Sequence, residues 1–314
     1  MLGRTADGIF WMFRYLERAE NIARLLDTGF RLALTRGHGA ASTEWESVLV
    51  TIGQDAAYKA VHGKIKGPQV TDWILRGRDN PESVLAMIER ARSNARAVRT
   101  ALTREVWEAT NEAWMVLRDM LARPIKASTL GDVLAAIRRQ STLVRGAMDG
   151  TMLRNDSFNF ARIGTFVERA DSTARILDVK YYVLLPSISL VGTTFDNAQW
   201  ETVLRSVSGE RAYRWLNAGV LDPRGIADFL ILDSRFPRSL LSCYTKLESN
   251  IAGLAMQYGM EVPCHELVAR QVKHLQETNI EAIMDFGLHE FIVNFLACNR
   301  EVANAIATDY RFAA

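Results

Sequence analysis

Phe13–Phe30 reads FRYLERAENIARLLDTGF, and the spacing of its apolar residues decides the fold. Extended back to Ala6 and forward to Thr35, the stretch carries Ile9, Met12, Leu16, Ala19, Ala23, Leu26 and Phe30 at steps of three, four and seven, which places them on one helical face. Thr5 or Asp7 can cap its start. On a wheel of about 100° per residue, Glu17, Glu20, Arg24 and Asp27 fall together along one edge of that face. Glu20 stands four residues before Arg24, the favourable order for a helical ion pair. Arg18 points well away from this edge, toward a different neighbour.

The stretch recurs. Gly164–Tyr181 reads GTFVERADSTARILDVKY, and at an offset of 151 seven of the 18 positions are identical. The charged edge returns as Glu168, Asp171, Arg175 and Asp178, again with an outlying arginine, Arg169. With small drifts of offset the echo continues: Glu44–Leu49 with Gln199–Leu204, Tyr58 with Tyr213, Asp72–Leu75 with Asp228–Ile231, Pro81 with Pro237, and Ser93-Asn94 with Ser249-Asn250. A repeat of this length is the signature of a duplicated unit. The expected organisation is a duplicated multi-helix bundle with two pseudo-symmetric halves, 1–150 and 151–314, forming one compact body.

Helical periodicity fills the rest of the chain. Beyond the first helix, the pattern predicts helices over 44–61, 70–77, 81–104, 105–122, 129–149, 157–184, 197–216, 224–233, 238–258, 264–284 and 287–308. Pro81, Pro124, Pro223, Pro237 and Pro263 fall at their starts and breaks, as the missing N–H requires. Strand-like alternation is nearly absent, with Val183–Val191 the one ambiguous piece. The fold class is all-α.

Composition narrows the function by exclusion. The 314 residues are 48% apolar and 24% charged, the figures of a folded globular chain. A net charge of +2 and the lack of a long Lys/Arg block argue against a nucleic-acid partner. Tyr181–Val191, the longest apolar-looking run, is about half a membrane span and is broken by Pro186, so no membrane partner is expected. Met1–Phe13 carries Arg4 and Asp7 and does not read as a secretory signal. Cys243, Cys264 and Cys298 are odd in number and widely spaced, which fits buried thiols in a reducing cytoplasm rather than disulfides or zinc.

The familiar catalytic signatures are missing. None of His38, His62, His265, His274 and His289 has a Glu three residues before it, so a di-iron bundle is excluded. There is no HExxH, P-loop, GxGxxG or GxSxG. Gly37-His38-Gly39 reads as a loop ending the first helix. His265 and His289 open two late helices, where solvated or capping roles are expected. Trp45, Trp73, Trp107, Trp114, Trp200 and Trp215 sit at helical spacing and are expected in the core. Arg138-Arg139 and the arginines at 90, 92, 96 and 99 read as solvated helix faces. No cofactor and no metal site is implied.

Two readings of the repeated charges stand side by side. In one, carboxylate and guanidinium pair with each other or with the partner helix of the other half and fix how the repeats dock. In the other they line a polar pocket at the interface of the halves that holds a ligand or shifts proton affinities. The candidate residues for either are Glu17, Arg18, Glu20, Arg24, Asp27, Glu168, Arg169, Asp171, Arg175 and Asp178.

Met1-Leu2-Gly3-Arg4-Thr5-Ala6-Asp7, then Trp11–Asn21 and Ala23–Asp27, closely resemble the opening of the Alpha-E family, bacterial all-helical proteins named for a Glu-Arg motif. Glu168–Asp171, Leu288–Phe291, Asn299 and Asp309–Phe312 resemble its later blocks, so the likeness spans essentially the whole chain. Members of that family are encoded beside, or fused to, circularly permuted ATP-grasp proteins, and often transglutaminase-like proteins. The resemblance implies an accessory binding or scaffold protein of an ATP-dependent peptide-making or peptide-modifying system, docking the ligase or its peptide substrate. The alternative is an enzyme in which the paired carboxylates of the two helices act as acid and base while Arg24 and Arg175 clamp the substrate. A third reading is a structural protein that packs on copies of itself.

Overall fold

The computed structural model describes residues 1–36, 41–182, 194–219 and 221–312. Among them are fifteen α-helices, one 3-10 turn and no strand, as the periodicity requires. Gly37-His38-Gly39 and Val183–Val191 lie outside the described residues. The chain divides into two compact units, Met1–Thr165 and Phe166–Phe312.

The first unit contains α1 (Gly3–Arg36), α2 (Ala41–Thr51), α3 (Asp55–His62), α4 (Gly67–Arg76), α5 (Val84–Ala97), α6 (Arg104–Met120) and α7 (Ala127–Thr151). It also holds the start of α8 (Asp156–Tyr182). Helix α1 is its axis and packs on α2, α5 and α7, while α6 packs on α5 and α7. Ile9, Met12, Leu16, Ala19, Ala23 and Leu26 are all buried, and so are Phe10, Phe13, Glu17 and Glu20, so α1 is enclosed on more than one face. Early α8 lies so close to α1 that a methyl group on Gly164 would run into the Phe10 carbonyl.

The helix expected over 44–61 is two helices. Gly53, at φ +70°, ends α2 in a left-handed conformation that favours glycine. Gln54 then accepts hydrogen bonds from Trp73 Nε1 (3.1 Å) and Asn80 Nδ2 (2.9 Å), pinning the turn to a buried polar network. The 81–104 span also ends early, at Ala97, and continues as a 3-10 turn over Arg99–Ala101.

The second unit contains the remainder of α8, then α9 (Thr194–Ser206), α10 (Glu210–Leu216), α11 (Pro223–Ile231), α12 (Leu240–Tyr258), α13 (Pro263–Glu277), α14 (Ile280–Phe286) and α15 (Leu288–Asp309). The single helix expected over 197–216 breaks at Ser208, φ +56°, and Gly209. The one over 264–284 breaks where Asn279 accepts from the Ala282 N–H (2.9 Å) and caps α14. Trp45, Trp73 and Trp200 are core residues. Trp215 is not: it is 84% exposed, because α10 is only seven residues long and buries Tyr213 instead.

Candidate functional site

The stripe on α1 meets α7. Arg145 of α7 brings Nη1 to 3.1 Å from Glu17 Oε2 and also against Glu20 Oε2. The other Glu20 oxygen accepts from Arg24 Nε (3.1 Å) and Nη2 (2.6 Å). Two carboxylates and two guanidiniums thus meet, with Glu17 1% and Glu20 0% exposed. At that burial each carboxylate needs its arginine, since an uncompensated ion costs several kcal/mol. Farther along, Asp27 accepts from Arg138 Nη1 (3.2 Å) and Arg31 Nε (3.3 Å). Because Arg138 meets Asp27 and Arg145 meets Glu17, α7 runs antiparallel to α1. The Ser141 hydroxyl lies between, donating to the Leu16 carbonyl at 3.3 Å.

The stripe on α8 is assembled differently. Glu168 is buried, at 3% exposure. Asp171 accepts from Arg175 Nε at 2.6 Å, but Arg175 and Asp171 keep 37% and 23% of their side chains in solvent. Asp178 Oδ1 lies 2.6 Å from His289 Nδ1 on α15. Asn299, also on α15, donates to the Val167 carbonyl (3.1 Å) and accepts from the Tyr244 hydroxyl (3.0 Å). Burial, with Cys298, Cys243 and Asp171 adding smaller contributions, pushes the Tyr244 hydroxyl well above the ordinary tyrosine pKa, so it stays a donor.

The outlying arginines leave the stripe as their helical positions require. Arg18 donates to Glu82 at 3.1 Å and Arg169 to the Pro237 carbonyl at 3.4 Å. Glu82 and Pro237 each lie just before a serine-capped helix, α5 after Ser83 and α12 after Ser239. Adjacent helical residues point about 100° apart, so a Glu-Arg dipeptide can reach two different neighbours at once. In the first unit the glutamate faces α7 while the arginine secures the entry to α5.

Of the ten candidates, the structure joins Glu17, Glu20 and Arg24 in one cluster through Arg145, and pairs Asp171 with Arg175. Asp27 and Asp178 each have their own partner on a distant helix. Two expectations are overturned: Arg138 is no solvated patch residue, and His289 is held by Asp178 because α15 lays its first turn against α8. Sequence reading missed Arg145 and Ser141, whose partners on α1 lie 128 and 125 residues away, and it met Asn299 only as part of a family-like block, without its role. One signal was available, because Asp27–Arg138 and Asp178–His289 share the separation 111. Among the described residues no three His, Cys, Asp or Glu side chains converge as a metal site needs, and no helix is long and apolar enough to cross a membrane.

An all-helical chain with two Glu-Arg helices is the class these features define. The chain belongs to the Alpha-E family, described as a predicted alpha-helical domain with a conserved ER motif, whose model matches residues 1–310. It is similar to an uncharacterized protein of Mycobacterium bovis, at 23% identity over 334 residues covering 96% of this chain. Uncharacterized proteins from two Mycobacterium tuberculosis strains match at the same identity and coverage. The chain spans 36% of the length of these relatives. No solved structure matches it.

Proposed function

We propose that this chain is a non-catalytic docking module in an ATP-dependent system that makes or modifies peptides. The observation that carries the reading is the enclosure of the first stripe. Glu17 and Glu20 are shut inside their unit with Arg24 and Arg145 against them, an arrangement suited to holding helices in register. A general acid or base must come within hydrogen-bond reach of a reacting atom, and these carboxylates are not open to one. The length of the relatives supports a modular role, since the chain matches only about a third of each. The choice of partner, a circularly permuted ATP-grasp protein with its peptide substrate and in some cases a transglutaminase-like protein, rests on the family resemblance.

The test is co-purification with a circularly permuted ATP-grasp protein from the same organism. A stable complex at modest salt is expected, and recovery of this chain alone would overturn the reading. Glu17→Gln separates it from the enzyme alternative. The docking reading expects a lowered melting midpoint with complex formation retained, whereas an unchanged midpoint with loss of turnover would establish catalysis.

A further inference from the structure

The hairpin between α12 and α13 carries an open groove of about 690 Å³. Its apolar lining comes from Ile251, Ala252, Ala255 and Met256 on α12 and from Val262, Val268 and Ala269 on the other side. Met256 is 86% exposed, and Met260 on the same hairpin is 58% exposed. Three carboxylates, Glu248, Glu261 and Glu266, line the groove as well. No lysine or arginine is among the groove's lining residues, and Lys273 of α13 pairs with Glu277.

The groove is held in shape. Gly259 ends α12 with a left-handed residue, and Pro263 starts α13 four residues later. His265 clamps the two helices together, with Nδ1 accepting from the Val262 N–H (3.0 Å) and Nε2 lying 3.1 Å from the Ile251 carbonyl. A preformed groove avoids the ordering cost that weakens a flexible site. Exposed methionines adapt to varied apolar side chains.

We infer that this groove docks a basic amphipathic peptide segment, its apolar residues seated on Met256, Ala252 and Ala255 and its lysines or arginines facing Glu248, Glu261 and Glu266. Charge complementarity selects the partner, since an acidic or neutral segment would leave three carboxylates uncompensated beside an apolar floor. The inference deepens the docking reading by naming a surface and a class of partner. Co-purification tests the partner and the titration below tests the surface, so either can fail alone.

The experiment uses the full chain and a fluorescein-labelled helical peptide of leucine and lysine, followed by anisotropy at physiological salt. The triple variant Glu248→Gln, Glu261→Gln, Glu266→Gln is expected to raise Kd about tenfold, with Met256→Lys acting in the same direction. A control triple in the first unit, Glu105→Gln, Glu112→Gln and Asp132→Asn, is expected to leave Kd within about twofold. An unchanged Kd in the groove variants, an equal loss in the control, or equal binding of a leucine–glutamate peptide would overturn the assignment. So would a dimer in sedimentation that Met256→Lys dissolves while peptide binding persists, because the groove would then belong to a second copy of this chain.

Discussion

The two Glu-Arg helices carry nearly the same sequence and solve different electrostatic problems. On α1, a fully enclosed pair of glutamates is neutralised by one arginine from the same helix and one from α7. On α8, the shorter Asp171 and its arginine stay partly in solvent, and α15 contributes an asparagine and a histidine. The lesson is that the depth to which a charge can sink is set by what the facing helix delivers. Where a second guanidinium arrives, Glu20 leaves water altogether, whereas Asp171 at the matching position of α8 stays partly exposed.

The sharpest way to break the comparison is Arg145→Leu, which takes a guanidinium from two buried carboxylates. A loss of about 3–5 kcal/mol in urea unfolding is expected. Arg145→Lys should recover part of it. Arg175→Leu in the second unit should cost about 1 kcal/mol or less, since its pair is open to solvent. Equal losses at the two positions would erase the distinction.

Next come the seams. Asn299→Leu leaves the Tyr244 hydroxyl and the Val167 carbonyl without their bonds and should cost about 1–3 kcal/mol. Ser141→Ala, which removes one 3.3 Å bond to the Leu16 carbonyl, should cost about 1 kcal/mol or less. Smaller still is His289→Ala, whose pair with Asp178 is a quarter exposed on each side, and about 0.5 kcal/mol is expected at neutral pH.

Alkali sharpens the contrast from another side, because all three cysteines lie in the second unit. Burial, reinforced by Asp309, pushes the Cys264 thiol up to about 12. Its folded pKa therefore lies above the unfolded value, so its contribution to stability is intact below about pH 8.5 and falls away as pH rises toward 12. Cys264→Ala should flatten that alkaline slope without moving the neutral baseline by more than the lost packing. Thiol labelling at pH 8 should mark the half-buried Cys298 well before Cys264.

The fold was largely legible because helical periodicity is local. The extent of α1 and the starts of α11 and α13 came from apolar spacing and from prolines at the first helical position. The breaks at Gly53, Ser208 and Thr278 were not legible, since the apolar period runs across them and only the backbone turns. The site was half legible. Glu20 with Arg24, and Asp171 with Arg175, follow from four-residue spacing, whereas the bonds of Arg145 to Glu17 and of Asn299 to Val167 span more than 120 residues and leave no periodic trace. The exposure of Trp215 escaped for a related reason, because a seven-residue helix can bury one side chain and turn the next outward.

The seam between α1 and α7 also sets a clock. Glu17 and Arg145 are 128 residues apart, and a ribosome adding about 5–20 residues per second takes roughly 6–25 s to supply the second after the first. During that interval Arg24, one turn away on the emerging helix, already answers the charge of Glu20. The short-range pair is the temporary guard of a carboxylate whose permanent partner has not yet been synthesised.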